Sequence, residues 1–169
     1  DMTRSRGLGD VYKRQYVEGG DILRINNHFI IGISGRTNET GAKNLSNIIE
    51  KNGGTSEIAI TPENTLHFKS ECSLLDEETI LATDNLIKSD FFNKKYRIIK
   101  VPKGEETGAN CLRINEHLLI PKGYDRLLDL VSKDYKVRVL DVTEMEKVDA
   151  GLSCLSLRWS VSYTHLRAH

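Results

Sequence analysis

Along the chain, apolar residues recur either in short runs typical of strands or at the spacing of a helix. The places where one pattern gives way to the other predict the secondary-structure elements. Residues 21–34, DILRINNHFIIGIS, form two short apolar runs around an Asn-Asn pair. This is typical of a hairpin, because asparagine tolerates the positive φ of a tight turn. In 39–54 the apolar residues recur at helical spacing until Gly53, which predicts a helix with a glycine stop. Residues 56–61, SEIAIT, then predict a strand.

The same order of strand, turn, strand, helix and strand recurs further along the chain. Its second and third occurrences are predicted from strands 66–75 and 78–84, a short helix around 86–91, strand 96–102, hairpin 110–121, helix 123–135 and strand 136–142. Repeats of one supersecondary unit bury their faces against their neighbours. We therefore expect an α/β array arranged as a closed ring or propeller. A complete ring needs more units than 21–60, 66–101 and 110–142, so we also expect that the first units are missing.

Two further elements are predicted after the third unit. Residues 143–148 predict a short helix, with Thr143 and Glu146 at capping-box spacing. Leucines at nearly alternate positions in 149–159, DAGLSCLSLRW, predict a last strand, which carries Cys154 and would begin another unit.

The composition is that of a globular protein and narrows the classes of function. Of the 169 residues, 38% are hydrophobic and 28% are charged, and the formal net charge is zero. We therefore expect no nucleic-acid partner and no membrane surface as partner. No apolar run is long enough to span a bilayer. Three widely spaced cysteines are an odd number, which favours reduced thiols in a cytoplasm over a disulfide framework or a zinc site.

Both ends of the chain depart from the pattern of its middle. A DNA sequence that encodes SRGLGDVYKRQ in one strand can encode VSYTHLRAH in the other, so the two ends can be antisense copies of one adapter-like segment. We therefore interpret 1–15 and 160–169 as non-native and leave them out of the fold. The native part is then 16–159, which we expect to be the C-terminal modules of a longer domain.

Four places carry residue types that chemistry could use, and each also has an ordinary structural interpretation. Glu18 begins EGGD, which could be a simple turn; Arg36 could be a solvated cation; His67 and Cys154 could be core residues. A thiol, an imidazole and a carboxylate are nevertheless the set that nucleophilic catalysis needs. Cys154, His67 and Glu18 lie at equivalent edges of repeated units, and in a ring these edges converge at one end of the axis. The arrangement favours a functional role for the set.

The other two cysteines serve as internal comparisons. Cys111 heads a predicted strand without an acid or histidine pattern of its own. Cys72 follows His67 by five residues in the same predicted strand, so it should face away from that histidine. We predict that both are core residues.

Six motifs, in this order and at these intervals, resemble one known family: VEGGDIL, SGRTNETGA, LHFKS, ANCLRIN, LLIPKG and EKVDAGLSCLSLRW. They resemble the dimethylarginine dimethylaminohydrolases, which belong to a guanidino-modifying superfamily together with arginine deiminases and amidinotransferases. The resemblance covers essentially all of 16–159. It implies an α/β fold, a pentein-type propeller of five ββαβ modules around a pseudo-fivefold axis, which is partial here.

The resemblance also implies a role for each candidate residue. Cys154 would be the nucleophile, His67 the general acid and base, and Glu18 the acid that orients the histidine. Arg36 would bind the α-carboxylate of the substrate, and the backbone carbonyl of Val148 would hold its amino group. The implied reaction converts a methylated arginine into citrulline and a methylamine through a covalent thiouronium, with no metal or organic cofactor.

One departure from the family's pattern sets an expectation for this chain. The family holds the guanidinium with an acidic pair in a PDxxFxED-like stretch, which this sequence does not contain. We therefore expect the chain as it stands to be inactive even if its parent protein is active. We also expect the open ring to expose module faces and to dimerise or aggregate.

Three alternatives remain open from the sequence. The parent could act on plain arginine, as an arginine deiminase-like enzyme does, or could be amidinotransferase-like. It could be a non-catalytic relative that binds a guanidino compound. Finally, it could be a purely structural α/β fragment whose thiols all lie in the core.

Overall fold

Three small sheets with one common topology build the described part of the chain, which is residues 15–89, 91–92 and 95–157 of a computed structural model. In each sheet two antiparallel strands form a hairpin, and a third strand pairs in parallel with the second after a helical crossover. The elements are β1 (Ile22–Ile25), β2 (His28–Ile33), α1 (Glu39–Lys51), β3 (Thr55–Ile60); β4 (Cys72–Leu74), β5 (Thr79–Ala82), α2 (Asp84–Lys88), β6 (Arg97–Lys100); β7 (Leu112–Ile114), β8 (His117–Pro121), α3 (Asp125–Val131), β9 (Lys136–Leu140); and α4 (Thr143–Glu146). The predicted α/β repeat is confirmed, and each sheet with its helix is called a module below.

The segments that the sequence predicts to be adapter-like lie almost wholly outside the described residues. These segments are 1–15 and 160–169, and only Gln15 among them is described. Its side-chain oxygen accepts a hydrogen bond from Asn44 on α1.

The hairpins of the first and third modules close in the same way. Asn26 and Asn115 occupy the turns with φ of 54° and 53°, in the left-handed region that asparagine tolerates. In each hairpin an arginine of the first strand bonds the turn: Arg24 Nε donates to the Asn26 carbonyl at 2.8 Å, and Arg113 Nε donates to the Asn115 carbonyl at 2.9 Å. The turn predicted from Asn26 in the first module is therefore the observed one, and Asn115 repeats it in the third.

The middle module is buried on both faces, and this joins the three sheets into one body. Every residue of β5 is buried, as expected for a strand covered on both sides. Ile80 packs into a cluster with the first module, whereas its neighbour Leu81 packs into a second cluster with the third module. Because side chains alternate between faces of a strand, two successive residues serve two separate interfaces.

The predicted strand at 66–75 is wrong in its first half. His67 precedes a turn of 3-10 helix, Phe68–Ser70, and only Cys72–Leu74 forms a strand. The Phe68 ring is fully buried and packs edge-on against Phe91, with ring centroids 6.1 Å apart. This tertiary contact turns the chain where local alternation predicted an extended segment.

The end of the described chain also differs from the prediction. The helix α4 has no side-chain cap, because the Thr143 hydroxyl bonds Asp141 instead of closing a capping box. The predicted strand at 149–159 is a turn over 152–155, and no strand pairs with it in the described part of the chain. Its amides bond locally: those of Cys154 and Leu155 both donate to the Gly151 carbonyl.

A buried carboxylate accepts hydrogen bonds from the first turn of the helix of the third module, and its removal should destabilise the fold. Glu105 Oε2 accepts a hydrogen bond from the Leu127 amide at 2.8 Å, and its Oε1 accepts one from Arg126 Nε at 3.1 Å. Burial alone would raise the pKa of Glu105, but these hydrogen bonds outweigh it and hold the pKa below the ordinary value. We expect Glu105→Ala to lower the free energy of unfolding by about 1–2 kcal/mol at neutral pH.

This loss is measurable by urea unfolding, with Glu144→Ala as control because that side chain is 79% exposed. Since the folded-state pKa of Glu105 is lowered, its contribution is present above the unfolded-state pKa and is lost as the pH falls through the folded-state value. The difference in the free energy of unfolding between Glu105→Ala and the wild type should therefore become smaller in acid. A gap that widens in acid would contradict this account.

Candidate active site

The glutamate and the histidine that were singled out in the sequence are in contact. Glu18 Oε1 lies 2.8 Å from His67 Nε2. The histidine side chain is 8% exposed, whereas that of Glu18 is 44% exposed. When the carboxylate accepts from Nε2–H, the neutral ring keeps its lone pair on Nδ1. The contact thus joins the Glu18 carboxylate to one of the two ring nitrogens of His67.

Two neighbours set the position of the His67 ring. The buried Phe68 anchors the backbone on one side of the histidine. On the other side the ring lies against the backbone of Gly20, where an added Cβ would come 2.6 Å from the His67 Cγ. The second glycine of EGGD is therefore required by a close approach and not by backbone conformation.

Arg36 contacts the same glutamate. Its Nη1 lies 3.5 Å from Glu18 Oε1, and the two side chains are 51% and 44% exposed. An ion pair this long and this exposed is weak. The structure therefore brings Arg36, Glu18 and His67 together, with the guanidinium at the solvent side of the group.

Cys154 lies in the exposed turn that follows the third module. A hydrogen bond attaches the turn to that module: the Ser153 amide donates to Asn110 Oδ1 at 3.0 Å. Among the residues that the structure describes, no hydrogen bond joins the Cys154 thiol to His67 or Glu18. The predicted meeting of the thiol with the imidazole thus stays a prediction.

Val148 lies six residues before the thiol and is 71% exposed. Its amide donates to the Met145 carbonyl at 3.1 Å. The next residue, Asp149, has a φ of 59° in the left-handed region, so the backbone reverses direction directly after Val148. Such a reversal presents backbone groups to the surface.

The two remaining thiols are core residues, as predicted. Cys72 has no exposed surface and Cys111 is 3% exposed. Burial raises the pKa of both thiols above the ordinary value. Among the described cysteines, Cys154 is the one that is exposed to solvent.

A cavity of about 260 Å³ lies between the second and third modules. It borders two turns, the one that begins at His67 and the one that contains Cys154. One wall includes Leu66, which precedes His67, and another includes Gly151 and Leu152 of the Cys154 turn. Acidic residues on its lining are Glu71, Glu106, Glu146 and Asp149, whereas none of Glu18, Arg36, His67 and Cys154 is among its lining residues. The cavity therefore lies beside the candidate residues and not at them.

The described residues contain neither a group of metal-ligating side chains nor a helix that could span a membrane. Over 15–89, 91–92 and 95–157, no three His, Cys, Asp or Glu side chains are grouped to hold a metal ion. Within the same residues, none of the helices has both the length and the apolar character that crossing a bilayer requires.

Sequence reasoning missed two residues that fix the backbone beside His67 and beside Cys154. Asp21 is fully buried and bonds the Phe68 amide, and Asn110 bonds the Ser153 amide. The only sequence signal for Asp21 is its position as the second acid of EGGD. Asn110 carries a signal in ANCLRIN, where it occupies the place that Asp21 has in GDILRIN.

Comparison with known proteins gives a consistent result. The model of the arginine deiminase family matches residues 4–119. A dimethylarginine dimethylaminohydrolase from Pseudomonas aeruginosa is 36% identical over 144 residues, which is 85% of this chain and 56% of that protein. The chain thus spans about half the length of this relative.

Solved structures support the same assignment. The dimethylarginine dimethylaminohydrolase of Pseudomonas aeruginosa, solved with citrulline, superposes with a TM-score of 0.81 and 35% identity, over 86% of this chain and 56% of that chain. An inosamine-phosphate amidinotransferase from Streptomyces griseus shares the fold, with a TM-score of 0.69 and 18% identity over 84% and 46% of the two chains. The family match, the identity to this relative and the superposition lead to one conclusion: the chain belongs to the arginine deiminase family, and its resemblance to the dimethylarginine dimethylaminohydrolases is confirmed.

Proposed function

We propose that the whole protein hydrolyses the guanidino carbon of an N-methylated arginine, releasing citrulline and a methylamine through a covalent intermediate on Cys154. The observation that carries this proposal is the 2.8 Å contact between Glu18 and His67. It is supported by the exposed thiol of Cys154. The relative of 36% identity bears the name of this activity.

The chemistry starts from the ionised thiol. A guanidinium carbon is a poor electrophile, and a bound cation also favours the thiolate over the thiol. The Cys154 sulfur adds to the guanidino carbon and forms a tetrahedral adduct. His67 then donates a proton to the methylated nitrogen as its bond to carbon breaks, so the amine leaves and a thiouronium remains.

The second half of the reaction uses the same histidine as a base. His67, neutral after its proton has left with the amine, takes a proton from a water molecule that adds to the thiouronium carbon. Collapse of this second adduct breaks the carbon–sulfur bond, the hydroxyl proton of the adduct passes to solvent, and citrulline leaves. The thiolate and the protonated imidazole are restored, and Glu18 stabilises the imidazolium whenever it is present.

Arg36 and Val148 are the proposed contacts for the amino-acid end of the substrate. A guanidinium binds a carboxylate bidentately, and the exposed Arg36 can exchange its long contact with Glu18 for that bond. The Val148 carbonyl, at the reversal before Asp149, would accept from the α-amino group.

An assay of citrulline formation tests the proposal and its alternatives together. We expect a version extended by a native N-terminal part, with the acidic pair, to act on dimethylarginine at least about tenfold faster than on arginine in kcat/KM, which is about 1.4 kcal/mol of discrimination. We expect no turnover by the 169-residue chain, because its sequence has no PDxxFxED-like stretch. Preference for plain arginine would favour a deiminase, and turnover by the short chain would overturn the expected inactivity.

A further inference from the structure

The residue that precedes the first strand of a module is structurally equivalent in the first and third modules. Residues 21–28, DILRINNH, and 110–117, NCLRINEH, align without a gap and form the same hairpin with the same arginine-to-turn hydrogen bond. Asp21 and Asn110 therefore occupy one position of the repeat. Each has a side-chain oxygen that accepts a hydrogen bond from a backbone amide in the segment that follows its own module.

Asp21 bonds the backbone next to the candidate base. Its Oδ1 accepts from the Phe68 amide at 2.9 Å, across 47 residues of sequence. The carboxyl group is fully buried, so this bond is shielded from water. Because Phe68 follows His67 directly, this bond fixes the backbone of His67 and with it the starting point of the histidine side chain.

The other oxygen of Asp21 connects the same carboxyl to the rest of the group. Its Oδ2 accepts from the Ser34 hydroxyl at 2.7 Å and from the Thr37 hydroxyl at 2.6 Å. These hydroxyl oxygens in turn accept from backbone amides: Thr37 Oγ1 from Glu18 at 3.0 Å, and Ser34 Oγ from Arg36 at 2.9 Å. One buried carboxyl thus fixes the backbone at Glu18 and Arg36 and directly after His67.

Asn110 performs the equivalent task at the next junction. Its Oδ1 accepts from the Ser153 amide at 3.0 Å, across 43 residues of sequence, and Ser153 precedes Cys154 directly. The asparagine amide also packs against Gly151, where an added Cβ would lie 2.1 Å from Nδ2. The turn that carries the thiol is held to the third module at this point.

We propose that Asp21 and Asn110 are positioning residues that use one repeated device, a side-chain oxygen before the first strand of a module, to place His67 and Cys154. The structural part of this inference stands on the hydrogen bonds alone, whereas its importance for catalysis rests on the proposed function. Neither residue needs to touch the substrate.

Amide hydrogen exchange resolved by residue tests the device in the 169-residue chain. Asn110→Ala should speed exchange at the Ser153 amide about five- to tenfold and leave the Phe68 amide unchanged, since one hydrogen bond is lost. Asp21→Ala should do the reverse. Asn110→Asp and Asp21→Asn keep an acceptor oxygen and should restore slow exchange. The control is Asn27→Ala, which removes a side-chain bond to the Gly53 carbonyl elsewhere in the first module.

Alkylation of Cys154 by 2-chloroacetamidine, in a chain extended by a native N-terminal part with the acidic pair, gives the functional readout. Asn110→Ala should slow it about tenfold and Asn110→Asp should restore it, because misplacement of a reacting group is costly. If the wild-type thiol shows no preference for the amidine over iodoacetamide, the proposed function fails, while exchange at Ser153 still decides the role of Asn110. If Asp21→Ala does not fold, the comparison of Asn110→Ala with Asn110→Asp tests the proposal on its own.

Three results would overturn the proposal. Unchanged exchange at Ser153 in Asn110→Ala is the first. Equal acceleration of both amides by either alanine variant, or by Asn27→Ala, would mean general loosening of the fold. Failure of Asn110→Asp to restore slow exchange would mean that the acceptor oxygen is not what matters.

Discussion

The Cys154→Ser variant is expected to lose all alkylation by 2-chloroacetamidine and, in a chain extended by a native N-terminal part, at least about a thousandfold of its rate of citrulline formation. The reason is that only a thiolate is nucleophilic enough to attack the guanidino carbon at neutral pH, and a serine hydroxyl in the same turn stays protonated. The other two thiols cannot replace it, since burial raises the pKa of both Cys72 and Cys111.

Cys111→Ser is the matched control for this experiment. The Cys111 sulfur donates to the Gly108 carbonyl at 3.0 Å, and a serine hydroxyl can make the same bond in the core. This variant should keep both the label and the activity. Mass spectrometry of the labelled peptides identifies the site. Label on Cys72 or Cys111 at a rate comparable to that of Cys154, or citrulline formation that survives Cys154→Ser, would end the case for this nucleophile.

The repeated modules could be predicted because their signals are local. A hairpin around Asn26 and a helix ended by Gly53 each follow from a few neighbouring residues, and the observed φ values of 54° and 80° match that chemistry. The parallel third strand follows from the helical crossover, since parallel strands need one. Local pattern and tertiary structure agree in these elements.

The two turns that carry the candidate chemistry could not be predicted, because distant residues shape them. The amides of Phe68 and Ser153 bond side chains 47 and 43 residues away, and no local period contains that information. Alternating apolar residues predicted strands at both places. The leucines after Cys154 are instead exposed, Leu155 by 48% and Leu157 by 91%, because no described strand pairs with them.

The candidate site was predicted from residue types, and its supporting contacts were not. The sequence supplied Glu18 and His67 as a carboxylate and an imidazole, and the structure places them in contact. It gave no indication that Arg36 would lie against the same glutamate. The type of a residue tells which reactions its side chain could support. Which residue a flexible side chain contacts depends on the packing of the folded chain, and this cannot be read from the sequence.

The Gly20→Ala variant is expected to have the second-largest effect, although it adds only one methyl group. The new Cβ would lie 2.6 Å from Cγ and 2.7 Å from Cδ2 of His67, which is closer than carbon atoms approach. The imidazole must move, and its 2.8 Å contact with Glu18 must lengthen or break. Because a displacement of about 1 Å can cost a hundredfold in rate, we expect a loss of about a hundredfold in kcat for citrulline formation in the extended chain.

Gly19→Ala is a control of the same chemistry at the neighbouring residue, because a Cβ there meets nothing within 4 Å. It should leave kcat within about twofold of the wild type, as a surface substitution away from such contacts does. In the 169-residue chain, Gly20→Ala should shift the NMR resonances of the His67 ring, and Gly19→Ala should not. If both variants lose activity equally, the loss reflects the backbone of the EGGD turn. In that case the placement of His67 against Gly20 does not control the reaction.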